Sequence, residues 1–191
     1  LHSFPTRRSS DLDGARLFLR TWTPEENPRA ILIALHGFND YSNAFADAGV
    51  YWSSRDIMVY AYDQRGFGSN EQAGQWPGLG TLVNDLSQAI RVIGAAHPDQ
   101  PLYLIGESMG GAVAMTALAR SRLKVRGVIL VAPAVWGRET MNRIYPLALW
   151  LGAHTFPWVK LSGQGLGFKP SDNNAMLIAL GEDPLVIKKT R

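Results

Sequence analysis

The 191-residue chain is 46% apolar and 18% charged, a composition that excludes disordered and collagen-like polymers and suffices for a single soluble core. Its 19 Lys+Arg against 16 Asp+Glu give a scattered formal charge of +3, which argues against a nucleic-acid partner. It has no cysteine, so a disulfide framework, a zinc–thiolate site and a thiol nucleophile are excluded, and any nucleophile must be oxygen or nitrogen.

Residues 1–12, LHSFPTRRSSDL, show neither the apolar stretch of a signal peptide nor a helical or strand period. They read as foreign to the fold: the string resembles translated adapter read-through, with a natural disordered tail as the alternative. From residue 13 short apolar runs alternate with longer amphipathic segments. Leu17, Leu19 and Thr21 alternate with Phe18 and Arg20 as an early strand, and Thr23 to Pro28 is a turn or loop. Residues 31–35 are continuously apolar, as in a strand buried on both faces, and 58–62, 102–105 and 128–131 repeat that character. Between them lie helix candidates over 44–53, 79–96 and 109–120. In the second, Leu82, Leu86, Ile90 and Ile93 share one face, and His97-Pro98 ends it. The expected fold class is α/β, a mostly parallel sheet with helices on both faces. Beyond Pro133, Trp136, Tyr145, Trp150, Phe156 and Trp158 are broken up by Pro146, Pro157 and Pro170, which reads as an irregular helical insertion. Within it Ser171 or Asp172 caps a short helix that runs to Leu180 and stops at Gly181. The domain reading is a tail over 1–12, a core over 13–135 and a cap over 136–191, cut short at its end. The longest apolar runs, such as 31–35 and 128–135, fall short of the ~20 residues that a membrane span needs.

The run 102–105 leads directly into Gly106-Glu107-Ser108-Met109-Gly110, a G-x-S-x-G between a strand and a helix. Such a serine sits in a strained turn with its hydroxyl exposed, and glycines two positions to either side leave room for the bend. The N-terminus of the following helix aims backbone N–H groups at an oxyanion formed beside Ser108. At the end of the 31–35 strand comes His36-Gly37-Phe38, where the N–H of Phe38 is placed as a second oxyanion donor beside that of Met109. His36 then has a structural role. At the end of the 58–62 strand, Asp63-Gln64-Arg65-Gly66-Phe67-Gly68-Ser69 forms a turn in which Asp63 and Arg65 bond local backbone and each other.

HGF, DQRGFGS and GESMGG, in this order and each at a strand end, resemble the α/β-hydrolase fold, and more narrowly its monoacylglycerol lipase and lysophospholipase branch, which is grouped with the serine aminopeptidases. The similarity runs from about residue 13 to the end. It implies Ser108 as nucleophile, the amides of Phe38 and Met109 as oxyanion hole, and the residues after Pro133 as a cap over the site. His36, Gly37, Asp63, Arg65, Gly66, Gly106 and Gly110 support the motifs. Glu107 departs mildly from the pattern, standing where many of these enzymes carry His.

A serine nucleophile needs a base and an acid to orient it, and in this fold they follow in the order Ser, Asp or Glu, His. After Ser108 the only histidine is His154, inside the cap and read as cap packing or pocket lining; His97 marks a helix end and His2 lies in the tail. Gly181-Glu182-Asp183-Pro184 resembles an acid-bearing turn, but no histidine follows it, and it reads as a second cap turn. The acid and base are therefore expected beyond Arg191, in a longer parent, and the 191 residues alone are expected to be nearly inactive. The aromatic and leucine content of the cap, with Leu147, Leu149 and Leu151, suits an apolar chain or simply packs the cap; the resemblance favours a monoacylglycerol or lysophospholipid ester. The rivals are an aminopeptidase, whose pocket should show an acidic patch for the substrate amine, a small-ester esterase, and a non-catalytic binding protein of the same fold. No cofactor or metal is implied. The expected partner is a small lipid or ester substrate, with transient contact at a membrane surface, and the expected location is the cytoplasm.

Overall fold

In the computed structural model, residues 2–5, 15–135, 144, 151, 154–155 and 172–188 are described. Their strands are β1 (His2–Pro5), β2 (Arg16–Trp22), β3 (Ala30–Leu35), β4 (Ile57–Tyr62), β5 (Leu102–Glu107) and β6 (Gly127–Val131). They form one sheet in the order β1-β2-β4-β3-β5-β6. The last four run parallel, whereas β2 pairs antiparallel with β4 and β1 antiparallel with β2. The helices are α1 (Ala46–Ser53), α2 (Leu79–Ala96), α3 (Met109–Arg120) and α4 (Asn174–Glu182), with a 3-10 turn at Ser42–Phe45 ahead of α1. This is the expected α/β architecture.

The continuous apolar runs have a direct explanation in the two cores. Ile31, Ile33 and Leu35 of β3 pack with Leu82, Leu86, Ala89 and Ile93 of α2 and with Val113, Ala114 and Ala117 of α3. Leu32 and Ala34 point the other way, into a second cluster with Val59, Ala61, Ile105 and Phe45, against which Trp22 and Trp52 lean. A strand covered on both faces has no polar side to alternate with. The boundaries of α2 and α3 fall where the apolar stripes predict. His97 closes α2, its N–H donating to the carbonyl of Ile93 at 3.1 Å, and its Nε2 lies 2.7 Å from the Tyr60 hydroxyl.

Three local expectations change. The tail, read as lacking a strand period, contributes β1, whose residues pair with Arg16 to Leu19; the open edge of β2 offers backbone donors and acceptors to any extended segment, whatever its side-chain alternation. The last helix is capped by Asn173 rather than Ser171 or Asp172: its Oδ1 accepts the N–H of Met176 at 3.1 Å. That helix also passes through Gly181 to Glu182, since one glycine in a last turn weakens a helix by only ~1 kcal/mol. Most of the segment expected to form an aromatic cap lies outside the described residues, including Trp136, Leu147, Leu149, Trp150 and Trp158; Ile144, Leu151, His154 and Thr155 are exposed. No described helix is long and apolar enough to cross a membrane.

Candidate active site

Parallel pairing puts Leu35 beside Gly106, so β3 and β5 end side by side and release their chains at one place. From β5 the chain turns into α3 through Ser108, whose φ of +48° and ψ of −112° lie in a region that side chains rarely occupy. Three backbone bonds hold it there. The N–H of Ser108 donates to Val131 at 2.9 Å, and its carbonyl accepts from Ala112 at 3.2 Å and from Ala134 at 2.8 Å. Glycine is required on both sides of the bend. A Cβ on Gly106 would lie 2.6 Å from the carbonyl oxygen of Gly110, and one on Gly110 would lie 2.2 Å from that of Leu35. The turn is thus wedged between α3 and the end of β3.

The end of β3 comes close to Ser108. A Cβ built on Gly37 falls 3.6 Å from the Ser108 Cβ. The neighbouring Phe38 is half exposed, and no described hydrogen bond takes up its N–H. Met109 is the first residue of α3, where an N–H has no partner within the helix. Ser108 is thus neighboured by Gly37, the residue before Phe38, and by Met109.

His36 is fully buried and is used on both nitrogens. Its Nδ1 lies 2.8 Å from the Gly37 carbonyl and so carries the proton, while Nε2 accepts the N–H of Gln64 at 2.9 Å. Burial pushes its pKa down to about 4, so the ring is neutral and is a scaffold between β3 and the turn after β4. Asp63 has the same character: its Oδ1 accepts the N–H of Ser42 at 2.9 Å and its Oδ2 that of Ser69 at 2.8 Å.

The expected Asp63–Arg65 pair does not form. With both Asp63 oxygens taken by backbone, Arg65 turns to α2 and makes a bidentate ion pair with Asp85, at 2.8 and 3.1 Å. Asp85 lies three residues from Leu82 on the apolar face of α2, and a carboxylate in that stripe was the signal for a buried cation partner. Asn70 was also missed. Its amide donates to the carbonyls of Asp63 at 2.6 Å and Gln64 at 3.1 Å, and its Oδ1 accepts the N–H of Phe18 at 3.0 Å. Gly66, at φ +84°, lets the loop fold back, since a Cβ there would sit 2.2 Å from the Gln75 carbonyl oxygen. That fold presents Trp76, half exposed, with its ring 6.1 Å from Phe38, which in turn packs edge-on against the buried Phe67 at 5.5 Å.

Asp40 stands in the same loop as Phe38. Burial raises its carboxyl to about 6, with the negative charges of Glu107, Asp183 and Asp63 adding to the effect. Of the histidines, His36 and His97 are engaged away from Ser108, and His154 is an exposed helical residue. Among the described residues no group of three His, Cys, Asp or Glu side chains is arranged to hold a metal.

The family described as serine aminopeptidase, S33 matches residues 26–191. The chain is 28% identical to the monoglyceride lipase of Rattus norvegicus over 91% of its own length and 58% of that protein. It is 27% identical to the monoacylglycerol lipase of Mycolicibacterium smegmatis over 75% of its length and 50% of that protein. It thus spans between half and three-fifths of these relatives. Among solved structures, the monoacylglycerol lipase of Paleococcus ferrophilus superposes with a TM-score of 0.72 at 22% identity, covering 91% of this chain and 65% of that one.

Proposed function

Since the chain belongs to the serine aminopeptidase S33 family of α/β hydrolases, on the branch of the monoglyceride lipases, we propose that it carries the nucleophile and oxyanion hole of an enzyme that hydrolyses carboxylic esters through an acyl-enzyme on Ser108. The observation that carries this reading is the Ser108 turn: a positive φ on a serine wedged between two close-packed glycines. A binding protein has no use for such strain.

In this mechanism Ser108 Oγ attacks the ester carbonyl while a general base removes its proton. The carbonyl oxygen becomes an oxyanion and accepts the N–H groups of Phe38 and Met109, each such donor contributing about 10²–10³ in turnover. Collapse of the tetrahedral adduct breaks the ester bond, and the leaving alcohol takes the proton back from the base. Water then attacks the acyl-enzyme by the same route and releases the acid. The base comes from outside residues 15–135, because His36 and His97 are committed elsewhere. Without it, turnover falls by on the order of a millionfold. The substrate we favour is a monoacylglycerol or lysophospholipid, and the support for its apolar chain is the half-exposed Phe38–Trp76 pair beside the serine.

A second reading, release of N-terminal residues from peptides, is favoured by one observation: the carboxylates of Glu107, next to Ser108 in sequence, and Asp183 are close enough to Asp40 for their charges to act on it, and such negative charge would suit a substrate amine. A fluorophosphonate probe on the full-length gene product tests the common step. Labelling that disappears in Ser108→Ala is expected, and labelling that persists there ends the serine-hydrolase reading. Monoacylglycerol, lysophospholipid and aminoacyl substrates then choose between the two.

A further inference from the structure

Asp183 marks the place where the segment after α4 meets the loop beyond β3. Its Oδ2 accepts the Tyr41 hydroxyl at 2.7 Å and its Oδ1 accepts the N–H of Leu185 at 2.8 Å. The hydrogen bond from Tyr41 is the main reason that this carboxyl is held below its ordinary range. Four residues later the N–H of Ile187 donates to the carbonyl of Asn39 at 2.9 Å, and the Ile187 side chain packs against the core under α2 and α3. Partners 142 positions apart in sequence are thereby joined.

What they hold is the loop that carries the Phe38 amide. Its start is fixed by β3 and the His36–Gly37 contact, and its end by the Ser42 N–H on Asp63. Between those anchors Asn39 adopts φ +65°, the left-handed region that asparagine tolerates better than most side chains. Among the described residues, the hydrogen bonds that join residues 183–187 to this loop fall on Asn39 and Tyr41. We infer that residues 183–187 are a strap that sets the Phe38 N–H for the oxyanion, with Asp183 as a positioning residue acting through Tyr41. This rests on the oxyanion role proposed for Phe38. An oxyanion donor works only within a few tenths of an ångström of its place, and a displacement of about 1 Å lowers turnover by about 10²-fold. Asp183, which the sequence offers as a candidate acid, has its carboxylate committed to the strap instead.

The test uses the full-length gene product with Tyr41→Phe, Asp183→Ala and the double variant. Each single change is expected to lower kcat by about tenfold, with KM held within about twofold, and the double variant is expected to be no worse than either single, because both remove one bond. The rate of fluorophosphonate labelling of Ser108 should fall in parallel. Unchanged kcat in both singles, effects that multiply in the double, or a change confined to KM or melting temperature would overturn the strap. Tyr41→Phe removes one hydroxyl and leaves the packing, so it decides alone if Asp183→Ala does not fold. Failure to label the wild type would overturn the nucleophile reading, whereas a labelled wild type with unaffected variants overturns only the strap.

Discussion

β3 and β6 have nearly the same composition and opposite surroundings. AILIAL of β3 lies between β4 and β5 with helices on both sides, and Ile31 to Leu35 are almost wholly buried. GVILV of β6 pairs only with β5 among the described strands, and Val128, Ile129, Leu130 and Val131 are 36–51% exposed. An apolar run states what a strand can tolerate on its faces. The neighbours decide how much of that surface leaves water, and hence how much the strand contributes to stability.

The contrast is tested most strongly by truncating one isoleucine in each strand. Ile33→Ala opens a cavity in the sealed core and should cost about 3–4 kcal/mol, measured as a shift in the urea midpoint. Within these 191 residues, Ile129→Ala removes methyl groups that are half exposed and should cost less than about 1 kcal/mol. Equal losses at the two sites would break the comparison.

Beyond its C-terminal end β3 continues into a buried polar turn, and this makes its side of the molecule sensitive to acid. His36 titrates near 6.5 when unfolded and at about 4 when folded, because burial disfavours the charged ring. Between those values the unfolded chain binds the extra proton, so stability is full above pH 6.5 and is lost as the pH falls towards 4. The loss from this residue is on the order of 3 kcal/mol. Urea midpoints that stay flat from pH 7 to pH 4 would contradict the buried, doubly bonded ring.

The strands, the two long helices and the serine turn were legible because each rests on local chemistry: apolar runs, a helical stripe, glycines where the chain must bend. Legibility fails where partners meet across sequence. Arg65 and Asp63 are two positions apart and looked like a pair, but the guanidinium goes to Asp85 because backbone amides had already filled the Asp63 carboxylate. Tyr41 and Asp183 carry no mutual signal, since a tyrosine in a loop and an aspartate after a helix have many equally good local fates. The strand at residues 2–5 was unreadable for another reason: a β ladder with Arg16 to Leu19 asks only for backbone donors and acceptors, which leave no mark on the sequence.

Exposed apolar surface is not equivalent on the two sides either. Among the described strands β6, with Ile129, pairs on one side only, whereas Trp76 is held by a tight loop against Phe38, whose neighbour Gly37 approaches Ser108. In the full-length protein, Trp76→Ala should reduce the ratio of kcat/KM for a long-chain over a short-chain ester by about tenfold, the equivalent of about 1.4 kcal/mol of chain contact. Ile129→Ala should leave that ratio where it was. If both ratios move together, the aromatic pair is general packing rather than a wall for the substrate chain.

The smallest effect expected is at Asp40, and its sign is opposite to that of His36. Its carboxyl titrates near 3.8 when unfolded and at about 6 when folded, owing first to burial and then to the nearby acids. Between those values the folded state holds the extra proton, so this residue favours the fold at low pH and loses that contribution as the pH rises through 6. In Asp40→Asn the side-chain oxygen can still accept the Tyr41 N–H, which Asp40 accepts at 2.8 Å, but the charge is gone. The variant should therefore be more stable than wild type at pH 7.5, by about 1 kcal/mol once solvent screening is discounted, with the advantage vanishing near pH 4. Because wild-type Asp40 partly offsets His36 as the pH falls, removing it should also steepen the acid limb of the stability curve. A variant that gains nothing at pH 7.5 would mean that the four carboxylates around this loop do not oppose one another, and the contrast between the β3 end and β6 would rest on packing alone.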